Sequence, residues 1–397
     1  MKDIVIVSAV RTPVGSFNGV LRSIPATRLG SIVITKAIKR AGIGPADVDE
    51  VIMGNVLSAG LGQAPARQSS LGAGLPYTTN CLTVNKVCGS GLKAVMIASQ
   101  AIALGDAEIV VAGGMESMSR APYLLEKARF GYRMGDGNII DSMVKDGLLD
   151  VYNNFHMGSC AEIVVERYNI GRDEQDRYAL QSYQRAIEAQ KKGYFTDEIV
   201  SITNSAGQGI TADEEPARHD LSKLKILSPV FKEGGRITAG NSSKISDGAA
   251  ALVVMSEDRA RKLRVKPMAK IIAYASQGVE PEMFSIAPAG AIKKILKKTG
   301  LTLNDIALFE INEAFAASIL SVIKELDAES SSAQVLDEGR LNIHGGAIAI
   351  GHPIAASGAR ILTTLLYAMK RKKAKRGIAA ICIGGGEAVA VLVEREG

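Results

Sequence analysis

The chain repeats itself, and that repetition limits its fold more than any other feature. Residues 4–10 form a continuous apolar run, the mark of a strand covered on both faces. Over 27–41, Leu29, Ile32, Val33, Ala37, Ile38 and Ala41 recur at helical spacing; Gly42 stops the helix, and 48–56 reads as a second strand. The same order returns as a strand at 269–274, a helix at 292–298, the stop Gly300 and a strand at 306–311. Gly42 matches Gly300 and Asp47 matches Asp305 at one constant separation, so the chain is read as a duplicated βα unit.

The later parts of the halves agree as well. Cys88-Gly89-Ser90-Gly91 opens a helix over 92–104, and a strand over 108–112 ends at Gly113-Gly114. In the second half, His352-Pro353 opens a helix running through Met369, and a strand over 377–383 ends at Gly384-Gly385-Gly386. Cys88 and His352 therefore occupy equivalent places, each just ahead of a helix N-terminus, where open α/β sheets gather ligands. From Ser119 to about Thr238 the texture changes: charge is denser, Tyr and Phe concentrate, and apolar runs shorten. The expected organisation is a first-half core (1–118), an inserted loop-and-helix region carrying substrate contacts (119–238), a return to the first half (239–268), and a second-half core (269–397).

Composition narrows the class. With 397 residues and 47% hydrophobic content, the chain fits neither a disordered, a collagen-like nor a disulfide-scaffold composition. A net charge of +6 is spread along its length and suits a small anionic partner. The basic run at 370–376 falls at a helix end, where cations complement the dipole, and no aromatic platform accompanies it; no nucleic-acid partner is expected. The start of the chain is read as neither a signal peptide nor a membrane span, and a cytoplasmic protein is expected. The cysteines Cys81, Cys88, Cys160 and Cys382 have no CxxC or His/Cys spacing, so no metal site is expected and the thiols are read as reduced.

A thiol at a helix N-terminus is expected to have a lowered pKa, which suits Cys88 to nucleophilic attack. A buried structural cysteine explains the same residue, but His352, one of only four histidines, sits at the duplicated equivalent of its turn. Cys plus His is the minimum set for thiolate catalysis. Cys382 and Asn312 end two further strands, and strand ends facing one crevice would bring all four together.

At these residues the sequence resembles the thiolase family, and within it the biosynthetic acetyl-CoA acetyltransferases. The resemblance runs along essentially the whole chain, through Val10-Arg11-Thr12-Pro13, Gly54-Asn55-Val56, the stretches 63–67, 85–91 and 113–119, His156-Met157-Gly158, residues 238–241 and 312–316, Gly351-His352-Pro353, and Cys382-Ile383-Gly384. It implies the α/β thiolase fold: two βαβαβαββ halves in five layers with a long loop domain inserted in the first. It implies a reversible, ping-pong condensation of two acetyl-CoA to acetoacetyl-CoA and free coenzyme A, which is substrate and product with no tightly bound cofactor. By the same resemblance Cys88 carries the acyl group, His352 activates it, and Cys382 moves the α-proton. His352 and a water held by Asn312 would surround the enolate oxygen, and the amides of Cys88 and Gly384 the tetrahedral oxyanion. His156, Met157 and Ser243 would line the pantetheine tunnel, with Arg218 near the adenine nucleotide. A homo-oligomer, dimer or tetramer, is expected on the same ground.

The chain departs from the family's pattern at His344 (commonly Asn), Ala355 and Lys244 (commonly Gly), Glu387-Ala388, and the loop 283–288, which replaces a Gly-rich one. Phe284 and Ile286 therefore bear on acyl preference. A degradative 3-ketoacyl-CoA thiolase for longer chains and an inactive acyl-CoA-binding scaffold remain alternative readings. A decarboxylating ketosynthase is disfavoured by the second cysteine.

Overall fold

A computed structural model describes residues 2–203, 207–218, 220–328 and 339–395. The first half runs β1 (Ile4–Arg11), α1 (Ala26–Ala41), β2 (Glu50–Gly54), α2 (Pro65–Gly72), β3 (Asn80–Val84), α3 (Ser90–Leu104) and β4 (Ile109–Ser117). After an insertion containing α4 (Met157–Arg167) and α5 (Arg172–Lys191), it closes with β5 (Ser246–Ser256) and α6 (Glu257–Leu263). The second half follows as β6 (Ala269–Gly278), α7 (Ala287–Thr299), β7 (Leu308–Ile311), α8 (Ala316–Asp327), α9 (Ala347–Ile350), α10 (Ile354–Lys372), β8 (Arg376–Ile383) and β9 (Glu387–Glu394).

The strands lie in the order β7-β8-β9-β6-β1-β5-β4-β2-β3, with the short strand Gly15–Ser16 beside β5. The order is symmetric about the β6–β1 junction, where only Val5↔Lys270 and Ile6↔Ala269 pair. In the second half the position matching β3 is held by Leu341, bridged in parallel to Phe309. The duplication reaches down to the turns. Gly42 and Gly300 both cap their helices at φ 69°, a left-handed conformation that favours glycine. Asp47 and Asp305 each accept a backbone N–H three residues back, at 2.8 Å from Gly44 and Thr302.

Helices α1 and α2 cover the outer face of the first half-sheet, and α7 and α8 that of the second, while α3 and α10 lie between the two. These are the five layers. β1, β4 and β5 are buried along their whole length, as a continuous apolar run requires when both faces are covered. One described helix region, Val87–Leu104, is long and apolar enough to cross a membrane; it contains α3, and its apolarity is that of the innermost layer.

The sequence expectation fails at Gly113-Gly114. The strand does not end there but continues as β4 to Ser117. A side chain at Gly113 would run into the carbonyl of Ala250, and one at Gly114 into that of Ala355. The pair serves close approach of neighbouring backbone, not a turn.

Candidate active site

The two catalytic candidates meet because α3 and α10 cross almost backbone to backbone. A Cβ at Gly91 would lie 2.7 Å from the Ala355 carbonyl, and one at Gly358 2.5 Å from the Leu92 amide. Any larger residue at either place would force the helix starts, and the turns ahead of them, apart. Glu116, at the end of β4, adds a second tie. Its carboxylate accepts from Asn55 Nδ2 at 2.9 Å, from the Val56 and Leu57 amides at 3.1 Å, and from the Ala355 amide in the first turn of α10 at 3.2 Å. Burial nevertheless pushes Glu116 up to about 7.

Cys88 sits on a strained turn. Val87 before it has φ 45°, a left-handed conformation that a β-branched residue avoids. Ser90 Oγ clamps the turn, accepting from the Lys86 amide at 2.8 Å and donating to the Val87 carbonyl at 2.7 Å. The expected lowering of the thiol's pKa is not found: burial pushes Cys88 up to about 11, against opposing backbone donors that include the Gly384 amide. Position near a helix N-terminus is outweighed here by loss of solvent around the anion.

His352 is fixed through its ring. Its Nδ1 lies 2.5 Å from Ser357 Oγ, and that hydroxyl is 2.9 Å from the Pro353 carbonyl. With the single hydroxyl proton given to the carbonyl, Ser357 accepts from Nδ1–H, which leaves the Nε2 lone pair free. Burial, then Arg360, lower the imidazole's pKa to about 3, so it is neutral at rest. Cys382 ends β8 and is 1% exposed. Burial raises its pKa and the neighbouring Cys88 raises it further.

These groups form the floor of one cavity of about 920 Å³, whose lining includes Cys88, His352, Cys382 and Gly384 together with His156, Met157, Arg218 and Ser243. Much of the wall comes from the insertion: Leu148, His156, Met157, Arg218 and Phe231 among others. His156 caps α4, accepting the Gly158 amide on Nδ1 at 3.0 Å, and its ring stacks on Phe231 with centroids 4.8 Å apart. Arg218 stands at the mouth, half exposed and paired with Glu214 at 2.8 Å. Beyond Cys382 the wall is apolar, with Phe315 contacting both Phe231 and Phe284 edge-on.

One residue departs from the expected convergence. Asn312 is 1% exposed and does not line the cavity; neither its amide nitrogen nor its amide oxygen has a partner in the described chain. Lys244, where the family commonly has Gly, is a wall residue of the cavity. Its ammonium donates to the Ala239 and Ser242 carbonyls and lies over the Tyr183 ring, and burial lowers its pKa to about 8. Among the described residues no cluster of His, Cys, Asp or Glu could hold a metal ion.

Comparison with known proteins places this geometry. Residues 4–258 match the family described as "Thiolase, N-terminal domain", and residues 265–395 match "Thiolase, C-terminal domain". The chain is 52% identical over 399 residues to "Acetyl-CoA acetyltransferase 1" of Arabidopsis thaliana, covering 99% of this chain and 94% of that one. It is 52% identical over 398 residues to "Acetyl-CoA acetyltransferase" of Chromobacterium violaceum, covering 99% and 100%. The crystal structure of the Acat5 thiolase from Ascaris suum in complex with coenzyme A superposes with a TM-score of 0.93, at 45% identity and over 100% of both chains. With both halves matched and the fold shared end to end, this chain belongs to the thiolase family.

Proposed function

We propose that the chain is an acetyl-CoA C-acetyltransferase that condenses two acetyl-CoA reversibly to acetoacetyl-CoA and coenzyme A. The observation that carries this reading is the presence of two thiols and one neutral imidazole on the floor of a single cavity. In the first half-reaction Cys88 attacks the acetyl carbonyl as His352 Nε2 takes its proton, and the amides of Cys88 and Gly384 hold the oxyanion. Coenzyme A leaves as a thiolate and receives a proton from Cys382. The enzyme then carries an acetyl group, an imidazolium and a Cys382 thiolate.

In the second half-reaction Cys382 removes the α-proton of another acetyl-CoA. Imidazolium Nε2–H and a water held by the unpartnered amide of Asn312 stabilise the enolate, which attacks the Cys88 thioester. His352 returns its proton to Cys88 as the product departs, so protons balance over the cycle. His156, Met157 and Ser243 line the pantetheine path, and Arg218 faces the nucleotide.

The aromatic wall of Phe284 and Phe315 supports a short acyl group over the long-chain reading. Thiolysis of acetoacetyl-CoA should therefore exceed that of 3-ketoacyl-CoA with eight or more carbons by ~10-fold or more in kcat/KM; the reverse order would overturn the assignment. A homo-oligomer is supported by the apolar exposure around edge strand β3, where Tyr77 and Leu82 are exposed. Four free cysteines support a reducing, cytoplasmic setting.

A further inference from the structure

A second cavity, of about 470 Å³, lies far along α10 from His352, in the seam between the two halves. It opens where β1 leaves β6 after only two paired residues, and where a bulge between Ile6 and Ser8 shifts the register of β1 against β5. Arg40, Lys266, Lys370 and Arg395 line it, and among the described residues no carboxylate does. Lys266 and Lys370 are exposed, and no ion pair or side-chain hydrogen bond to a described residue holds them. Arg40 braces the wall through the Asp197 and Ile199 carbonyls and the Tyr367 hydroxyl, which in turn donates to the Ala9 carbonyl at 2.9 Å.

One buried group points to a ligand. Ser8 lines this cavity, is 2% exposed, and its hydroxyl has no partner in the described chain. A buried hydroxyl without a partner costs free energy, and a ligand oxygen would remove that cost. The remaining lining, Val7, Pro267, Met268, Leu366 and the Tyr367 ring, is apolar. Free ammonium groups and an unpaired hydroxyl suit a compact dianion; the apolar side suits the organic body attached to it.

We propose that this seam cavity is a binding site for a small organic phosphate, separate from the cavity that holds Cys88. The phosphate sits against Lys266, Lys370 and the Ser8 hydroxyl, with its organic part against Met268, Leu366 and Tyr367. Because β1 of the first half and α10 and Arg395 of the second all contribute, the ligand bridges the two halves.

The test is equilibrium dialysis of the full chain with phenyl phosphate and, in parallel, inorganic phosphate, at fixed ionic strength and with or without coenzyme A. Saturable binding of about one phenyl phosphate per chain is expected, tighter than inorganic phosphate and unaffected by coenzyme A. The double variant Lys266→Gln/Lys370→Gln should weaken it by ~10-fold or more. Lys262→Gln/Lys297→Gln, which lowers the net charge equally outside the cavity, should leave it unchanged. Absence of saturable binding, equal affinity for the two probes, equal affinity in both double variants, or competition by coenzyme A would each overturn the proposal.

Discussion

A thiol at about 11 and an imidazole at about 3 make a neutral pair at rest. Charge then separates only when a thioester and its oxyanion donors are aligned, which protects the nucleophile between turnovers. His344, beside Arg371 and the rings of Tyr194 and Phe195, is likewise held neutral, its pKa lowered from 6.5 to about 4 by burial and then by Arg371. The native state thus binds fewer protons than the unfolded chain between these values, so this stabilisation is present above pH 6.5 and is lost as pH falls toward 4. His344→Asn should reduce the drop in unfolding free energy between pH 7.5 and 5, read by urea titration, by ~2 kcal/mol. Phe284 is 3% exposed and lines the cavity in one apolar cluster with Cys382 and Phe315. Phe284→Ala should extend thiolysis to longer 3-ketoacyl chains while costing ~3 kcal/mol in stability, measured as relative kcat/KM and as urea midpoint.

Among the elements, α3 and α10 carry the site, and their glycines set its dimensions. Gly358→Ala puts a methyl group against the Leu92 amide, so the helices must separate. The expected cost is ~1–3 kcal/mol of stability together with a fall in kcat larger than the change in KM, because the floor moves while the insertion's walls stay in place. Steady-state kinetics on folded variant checks this. The two helices are legible in sequence because Cys88-Gly89-Ser90-Gly91 and His352-Pro353 open them at equivalent places of a duplication that Gly42 and Gly300 mark at the ends of α1 and α7. It misread Gly113-Gly114 as a strand end, since a glycine needed for close approach looks the same in one dimension as a glycine needed for a turn. The same limit hid the tie from Glu116 to Ala355, two residues 239 positions apart.

At the scale of the molecule, the insertion is bolted to the first strand through Arg11, which pairs at 2.6 Å with both Glu198 and Asp213 and lies under Phe195. All three charged groups are buried, so removing the cation leaves two carboxylates without compensation. Arg11→Met should cost ~3–5 kcal/mol in unfolding free energy and raise KM for acyl-CoA, because the cavity wall loses its anchor. The halves, the insertion and the convergence of Cys88, His352 and Cys382 could be read from sequence, since each rests on local punctuation or on a resemblance spanning the chain. The raised thiol pKa and the recessed position of Asn312 could not, because both depend on how much protein surrounds a group. In the proposed reaction two sulfurs divide the chemistry, one carrying the acyl group and the other the proton. Intact-mass measurement after incubation with acetyl-CoA tests it most directly. An added acetyl group is expected on Cys382→Ala, with condensation abolished, and none on Cys88→Ser; a Cys382→Ala protein that still condenses, or a Cys88→Ser protein that still becomes acetylated, would contradict this division.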